Sequence, residues 1–564
     1  MYRSRSLHLQ GLSRNFSRIF GRQIHGLSSS IGEKPSNTLT DINAHRIQGS
    51  EDGPKAQHER VNRILLKTQN SKRGSLDECR QENIRFLDIS KALQIHSKQH
   101  QPLMIDQIEN DIQIIDNFLH KNRPEVEIKD VQIIFETVEG EGVGIVRHEY
   151  ENTVKHTVVC VPKTVEGDIV TLRLRMHHKF YAEGHLVTVQ TPSAKRNDSL
   201  IDCHQFNSCN GCQLQMVSYG DQLHFKREVL HRAYEYFYPN VFSQIPPPNM
   251  GSIIASPKEY NYRTKLTPHY KWRNSFLGKE GYKPPIGFEN VKPSEPLVDV
   301  EKCSIATRTI NDQLSKFREN VYRELANKKK TKKNASTGLL RESIDINLDT
   351  GDFSLTTITD NKKLVTEKVE DIVYQFPAGE FFQTNNSILP VILQHIRSHL
   401  KEIDYSNIID TYCGSGFFGI ALAKDLPSKG KVFGVEISSV AIKYAQHNAK
   451  INGLTDDRVM FVSGTADTIF SNNQLRKVKG KDSVVIMDPS RKGSNIDFLK
   501  QMLEFKPKMI IYVSCNVFTQ ARDLRQFHEL QKDNIQYRVK EITGFDFFPQ
   551  TKHVEGLAVL ELCT

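Results

Sequence analysis

In "MIIYVSCNVFTQARDL" the thiol of Cys515 follows an apolar, β-branched run and precedes a helix-like segment. Such a run reads as a buried strand. Cys515 therefore falls at a strand end, and at the carboxyl edge of a parallel sheet that is where ligands bind. The same position also suits a core cysteine, since free Cys is among the most often buried residues. "DTYCGSGFFG" (410–419) supplies glycines that let a backbone approach a ligand closely. Glu436, ending the strand-like "KVFGVE", follows at the spacing from which a carboxylate accepts hydrogen bonds from a ribose diol. A full G-x-G-x-x-G is missing, which argues against a dinucleotide. A nucleoside cofactor without pyrophosphate fits better, and S-adenosylmethionine (SAM) is the common one. Cys203, Cys209 and Cys212 cluster in "CHQFNSCNGCQLQ", and Cys303 lies further on. Thiolates so spaced can hold an iron–sulfur cluster or zinc.

The elements that must position these groups can be read from pattern. From about residue 376, strand-like and helix-like runs alternate, as in a doubly wound α/β domain. Upstream, "DVQIIFETVEGEGVGIVR", "TVVCVP", "GDIVTLRLR" and "GHLVTVQTPSAKR" are short β-rich runs broken by turn residues, the signature of a small OB-type barrel. "SPKEYNYRTKLTPHY" interleaves basic and aromatic residues, suited to phosphates and stacked bases, with Tyr262, Arg263 and Lys265 as the expected contacts. Lys328 to Lys333, "KKKTKK", reads as a solvated insertion.

Composition narrows the class. The 564-residue chain is too long for one ordinary core, so several domains are expected. A formal charge of +10 leans toward a polyanionic partner such as nucleic acid. Nine cysteines, an odd number in a long chain, do not make a disulfide framework, and no apolar stretch approaches the length of a bilayer span. The first thirty residues hold five arginines and seven serines, and the first acid is Glu33. That amphipathic, acid-free pattern is expected of a mitochondrial presequence, a disordered basic tail being the alternative.

The ordered set "FFQTN", "DTYCGSGFFG", "DPSRKG", "YVSCN" and "FPQTKHVE" resembles the RNA uracil-5-methyltransferase family. The likeness spans about residues 125 to 564 and includes the β-rich region, which resembles a TRAM domain, and the cysteine cluster. It implies transfer of a methyl group from SAM to C5 of a uridine in structured RNA. Gln383, Tyr412, Glu436 and Asp488 match the family's cofactor-pocket positions, and Phe417 aligns with another. Cys515 matches its nucleophile and Glu555 its proton acceptor. The four cysteines resemble the [4Fe–4S] site of one branch, with zinc as the alternative. Val517 and Ser490 stand where the family usually has proline. Neither change removes a reacting group.

The resemblance explains the residue types. C5 of uracil is a poor nucleophile until a thiolate adds to C6, so Cys515 is expected to have a lowered pKa or a nearby base. A carboxylate must then remove the C5 proton. The expected molecule is multidomain: a presequence (1–32), a largely disordered polar extension (33–124), a TRAM or OB-like barrel (125–196), a cysteine-bearing α+β central region (197–370) and a Rossmann-like SAM-dependent methyltransferase domain (371–564). The expected substrate is the tRNA T-loop uridine at position 54, as in the fungal enzymes. A ribosomal RNA target, or an RNA-binding protein without activity, are the alternatives. A monomer in mitochondria, with no membrane partner, completes the expectation; a cytosolic or nuclear pool stays open.

Overall fold

The computed structural model describes residues 78–563, apart from 99, 123–126, 245–249, 293–294, 329–334, 347–352, 466–469, 471–474 and 532–535. The expected presequence, residues 33–77 of the expected extension and all but the first lysine of "KKKTKK" lie outside the described residues. Asp77–Thr564 make one compact unit.

Five strands, β1 (Glu127–Glu136), β2 (Glu141–Tyr150), β3 (Thr153–Pro162), β4 (Ile169–His177) and β5 (Ala182–Thr191), close into a barrel in the order β1-β2-β3-β5-β4. The β2–β3 hairpin turns through Glu151 and Asn152, both at positive φ (44° and 60°), which matches the twist of the flanking strands. Val131, Ile133, Val146, Val159, Val161, Val170 and Leu172 fill the interior.

Residues 78–122, inside the stretch expected to be largely disordered, contain two helices, α1 (Gln81–Ser97) and α2 (Ile105–Asn122). Their apolar residues Ile89, Ala92, Leu93, Ile108 and Ile112 pack on Phe135, Val143, Val158 and Cys160 of the barrel wall. The stripe is sparse in a polar sequence, so its helices become favourable only where a partner surface covers it.

The central region combines helices α3 (Tyr219–Phe237) and α4 (Arg308–Asn327) with short antiparallel strands between Lys265 and Pro377. A strand before them, β6 (Met250–Ile254), departs from the expected boundary at 371. It pairs in parallel with the carboxyl-terminal sheet. "MGSII" is too short to announce itself in sequence, and pairing completes it as an edge strand.

That sheet contains β7 (Asn407–Thr411), β8 (Lys431–Glu436), β9 (Val459–Ser463), β10 (Ser483–Met487), β11 (Met509–Ser514), β12 (Gln536–Phe545) and β13 (Glu555–Cys563). Its order is β9-β8-β7-β10-β11-β13-β12-β6. The first five are mutually parallel, and β13 runs antiparallel to both neighbours. Helices α5 (Leu389–Leu400), α6 (Phe417–Ala423), α7 (Ser439–Ile451), α8 (Ile496–Phe505) and α9 (Val517–Glu529) belong to the same domain, and apolar cores lie on both sheet faces. Chain order reverses between β7 and β10, the switch point at which open α/β sheets bind ligands.

Candidate active site

Sheet register lines up the reactive side chains. Thr411 pairs with Val435 on one side and Met487 on the other, Met487 pairs with Tyr512, and Ser514 with Gly556. Glu436, Tyr412, Asp488 and Cys515 therefore stand at the carboxyl ends of four adjacent strands. Glu555 opens the antiparallel fifth at the same rim. With neighbouring strands about 4.8 Å apart, the row runs from a glycine-turn end to a thiol-and-carboxylate end.

At the first end the chain turns sharply after β7. Tyr412 has φ 64°, and Gly414 and Gly416 have φ 54° and 88°. A Cβ on Gly414 would meet nothing within 4 Å, so the turn faces open space that a ligand can fill. Glu436 is held to that turn by the backbone N–H groups of Gly414 (3.3 Å) and Ser438 (2.9 Å), which both donate to its carboxylate. Beneath it, buried Asp410 accepts from Gly419 N–H at 2.8 Å, which ties β7 to α6. Burial, then the charges of Asp488 and Glu436, push Asp410 up to about 8. Gln383 is half-buried in the segment before α5, and Asn385 anchors that segment through Ser256 Oγ and the Phe547 carbonyl. Ile437 and Phe381 are 72% and 69% exposed, large apolar groups beside Glu436 and Gln383 that the sequence did not single out. The buried ring of Phe417 packs on Tyr374, Phe382 and Phe418.

At the other end Cys515 is half-buried between β11 and α9. Burial, then Glu555 and Asp488, push its thiol up to about 12, while Arg491 opposes them. The expectation of a lowered pKa is therefore corrected. The expected neighbouring base is present instead, twice. Glu555 is 2% exposed and its Oε1 has no hydrogen-bond partner among the described residues. Burial, then Asp488, hold it well above the ordinary carboxylate range, with Arg491 opposing. Burial raises Asp488 to about 7. Buried, unpaired acceptors of this kind are costly and mark functional sites. The sequence departures sit quietly: Asn516 caps α9 through Phe518 N–H, so Val517 serves at the position where proline is usual, and exposed Ser490 lies in the turn closed by Gly493 N–H.

The loop that presents Glu555 is clamped from α3. Lys226 Nζ donates to Asp546 and to the Phe548 carbonyl (3.0 Å), and Gln222 exchanges two 3.0 Å hydrogen bonds with Gln550. Tyr262 belongs to this clamp. It is 2% exposed and donates to the Pro549 carbonyl at 3.0 Å, so it is no stacking platform. Alternation explains the miss: Tyr262, Thr264, Leu266, Pro268 and Tyr270 all point inward, leaving Arg263 and Lys265 half-exposed. His553 keeps an exposed edge, yet surrounding protein and then Lys552, Arg491, Lys226 and Arg263 hold it down to about 3.

The four expected metal-binding cysteines are brought into one neighbourhood, all free of disulfides. Burial, then Cys303, push Cys212 up to about 12, and burial raises Cys303 to about 11 and Cys209 as well; in each the neighbouring thiols add to the effect. Gly211 N–H points at Cys209 Sγ (3.4 Å), and buried Lys163 Nζ donates to the carbonyls of Cys209 (3.0 Å) and Cys212. Tetrahedral zinc, with bonds of about 2.3 Å, needs sulfurs about 3.8 Å apart. Among the described residues no three of these sulfurs lie within 4.8 Å of one another.

A family profile described as tRNA (Uracil-5-)-methyltransferase matches residues 301–562. The chain is 38% identical over 469 residues to the tRNA (uracil(54)-C(5))-methyltransferase of Schizosaccharomyces pombe, covering 81% of this chain and 82% of the relative. It is 33% identical to the Saccharomyces cerevisiae protein of the same name, covering 77% and 74%. The crystal structure of Pyrococcus abyssi tRNA (uracil-54, C5)-methyltransferase in complex with S-adenosyl-L-homocysteine superposes with a TM-score of 0.53 at 22% identity. It covers 77% of this chain and 100% of that one, and shares the fold.

Proposed function

The chain belongs to the tRNA (uracil-5-)-methyltransferase family, and on that premise we propose how its residues methylate uridine 54 of tRNA from SAM. The observation that carries the reading is the single rim on which Glu436, Tyr412, Asp488, Cys515 and Glu555 stand in order. SAM supplies the electrophilic methyl group. Glu436 is poised for the ribose hydroxyls and the glycine turn for close backbone approach, with Gln383, Tyr412 and Asp488 bordering the same space.

The uracil must leave its stack to reach this rim, which costs a few kcal/mol. Cys515 Sγ then bonds to C6, and its proton passes to Asp488, which leaves Glu555 unprotonated for the later step. The C5–C6 π pair moves toward O4, and C5 takes the methyl group from the sulfonium, leaving S-adenosylhomocysteine. Glu555 removes the remaining C5 proton, C5=C6 re-forms and the thiolate is expelled. The raised proton affinity of Glu555 suits a group that must take a proton from carbon. Arg491, missed in the sequence, favours the thiolate electrostatically. The small barrel, of TRAM type on this reading, and the cations near His553 would bind tRNA phosphates.

Glu555→Gln tests the order of events. Addition and methyl transfer precede proton removal, so this variant should accumulate an RNA–protein adduct that survives denaturing gels and carries label from SAM. Cys515→Ala should form no adduct and no product while still binding tRNA. Normal turnover by Cys515→Ala would end the covalent scheme.

We also propose that Cys203, Cys209, Cys212 and Cys303 hold a [4Fe–4S] cluster, with a supporting role because methyl transfer needs no redox step. Anaerobically purified protein should then contain iron and sulfide; stoichiometric zinc alone would overturn this. Mitochondrial import is proposed from residues 1–32, and a diffuse signal from a fusion of residues 1–40 to a fluorescent reporter would refute it.

A further inference from the structure

Away from the reactive rim, α5 and β12 bring together three side chains that the methyl transfer does not use. His395 and His399 lie four residues apart on α5, so both point from one helix face. Opposite them, Glu541 follows a bulge in β12, where the pairing slips between Val539 and Glu541. A bulge re-aims the side chains around it. His395 Nε2 stands 2.9 Å from Glu541 Oε1, and His399 Nε2 stands 2.9 Å from Oε2. One ligand atom from each residue lies within 4.8 Å of the other two, and among the described residues this is the one such cluster of His, Cys, Asp or Glu.

A second observation points to a ligand. His399 is 6% exposed, its Nδ1 has no hydrogen-bond partner among the described residues, and its Nε2 meets Glu541 as an ion-pair partner. His395 Nε2, within hydrogen-bond reach, and His399 Nε2 thus converge on the two oxygens of one carboxylate, and the three groups enclose one small space. Thr543 Oγ1 donates to Glu541 Oε1, the kind of outer contact that orients a metal-binding carboxylate. His395 also packs edge-on against Phe545, which limits its rotation.

We propose that His395, His399 and Glu541 form a binding site for a divalent transition metal, zinc by ligand chemistry, that staples α5 to β12. Two imidazoles and one carboxylate are a zinc donor set, and water would complete the tetrahedron. Calcium and magnesium are disfavoured because they prefer oxygen ligands. None of the three residues is among the rim groups Glu436, Tyr412, Asp488, Cys515 and Glu555, so the ion acts on structure and not on the reacting uracil.

The test uses the full chain, stripped with a chelator and titrated with cobalt(II) and zinc. Wild type should bind one equivalent of cobalt at this site, with d–d absorption that lacks sulfur charge-transfer bands. A Cys203→Ser/Cys212→Ser variant should keep that equivalent, which separates it from the thiol cluster. His395→Gln and Glu541→Gln should each weaken zinc binding at least tenfold and lose the zinc-induced rise in melting temperature. Retained S-adenosylhomocysteine binding would show that both variants are folded. The proposal is overturned if wild type binds no metal outside the cysteines, or if both variants bind zinc as wild type does.

Discussion

Cys515 is the residue at which chemistry and environment pull in opposite directions. The reaction needs a thiolate, yet burial and two acids hold the thiol protonated, and Arg491 opposes them. Arg491→Met should slow alkylation of Cys515 by iodoacetamide several-fold near pH 8, followed on the Cys515 peptide by mass spectrometry. An unchanged rate would remove Arg491 from the site. Asp410 offers a second reading of the same electrostatics. Its carboxyl is raised from the ordinary value near 4 to about 8. Between those limits the native state binds more protons than the unfolded one, so stability is greatest at the acid end and falls as pH rises. Asp410→Asn should flatten the decline in melting temperature between about pH 5 and about pH 8. A slope equal to wild type would show that Asp410 is not the group responsible.

Elements place these residues through a few tight junctions. Gly416 has φ 88°, and an added Cβ would come 2.7 Å from Ile420 Cδ1. Gly416→Ala should therefore cost about 1–2 kcal/mol from the left-handed conformation alone. It should also weaken SAM binding more than tRNA binding, which calorimetry of the two ligands would separate. The loop before Glu555 depends instead on the buried pair Lys226–Asp546, both fully buried. Removing one partner leaves a buried charge and typically costs 3–5 kcal/mol. Lys226→Met should accordingly lower thermal stability and abolish adduct formation, whereas Lys226→Met/Asp546→Leu should recover much of the stability without the adduct. Equal stability in the two variants would mean that the pair is uncoupled.

At the scale of the whole molecule, barrel, cysteine region and catalytic loop interlock. Lys552 Nζ donates to Glu139 in the turn between β1 and β2, while Gln213 and Leu214 N–H groups both donate to the Gln550 carbonyl. The barrel and the reactive rim are thus parts of one body. With tRNA bound through phosphates, affinity should fall steeply with salt. Arg263→Gln/Lys552→Gln should weaken tRNA binding about tenfold and flatten that salt slope, leaving S-adenosylhomocysteine affinity nearly unchanged. Loss of both affinities together would instead indicate damage to the fold.

Much of this was legible along the chain because it is local. Strand runs, glycine turns and the residues just past them reveal themselves within ten positions, so Glu436, Asp488 and Cys515 could be placed at strand ends before any coordinates. The barrel strands likewise followed from alternation and turn residues. What depended on the chain's path was not legible. Asp546 meets Lys226 across 320 positions, and β6 joins the edge of a sheet whose other strands begin at Asn407. Tyr262 looked like a base-stacking aromatic and is a buried prop. The helices of residues 78–122 looked like polar linker until a barrel wall covered their narrow apolar stripe. Sequence alone picked out the candidate reacting groups and put Glu436, Asp488 and Cys515 at strand ends; the order in which the sheet presents them came from its topology. Tertiary structure decided their charge states, the orphaned carboxylate of Glu555 and the meeting of His395, His399 and Glu541. Desolvation and long-range contact come from what surrounds a residue in space, and one-dimensional spacing does not contain it.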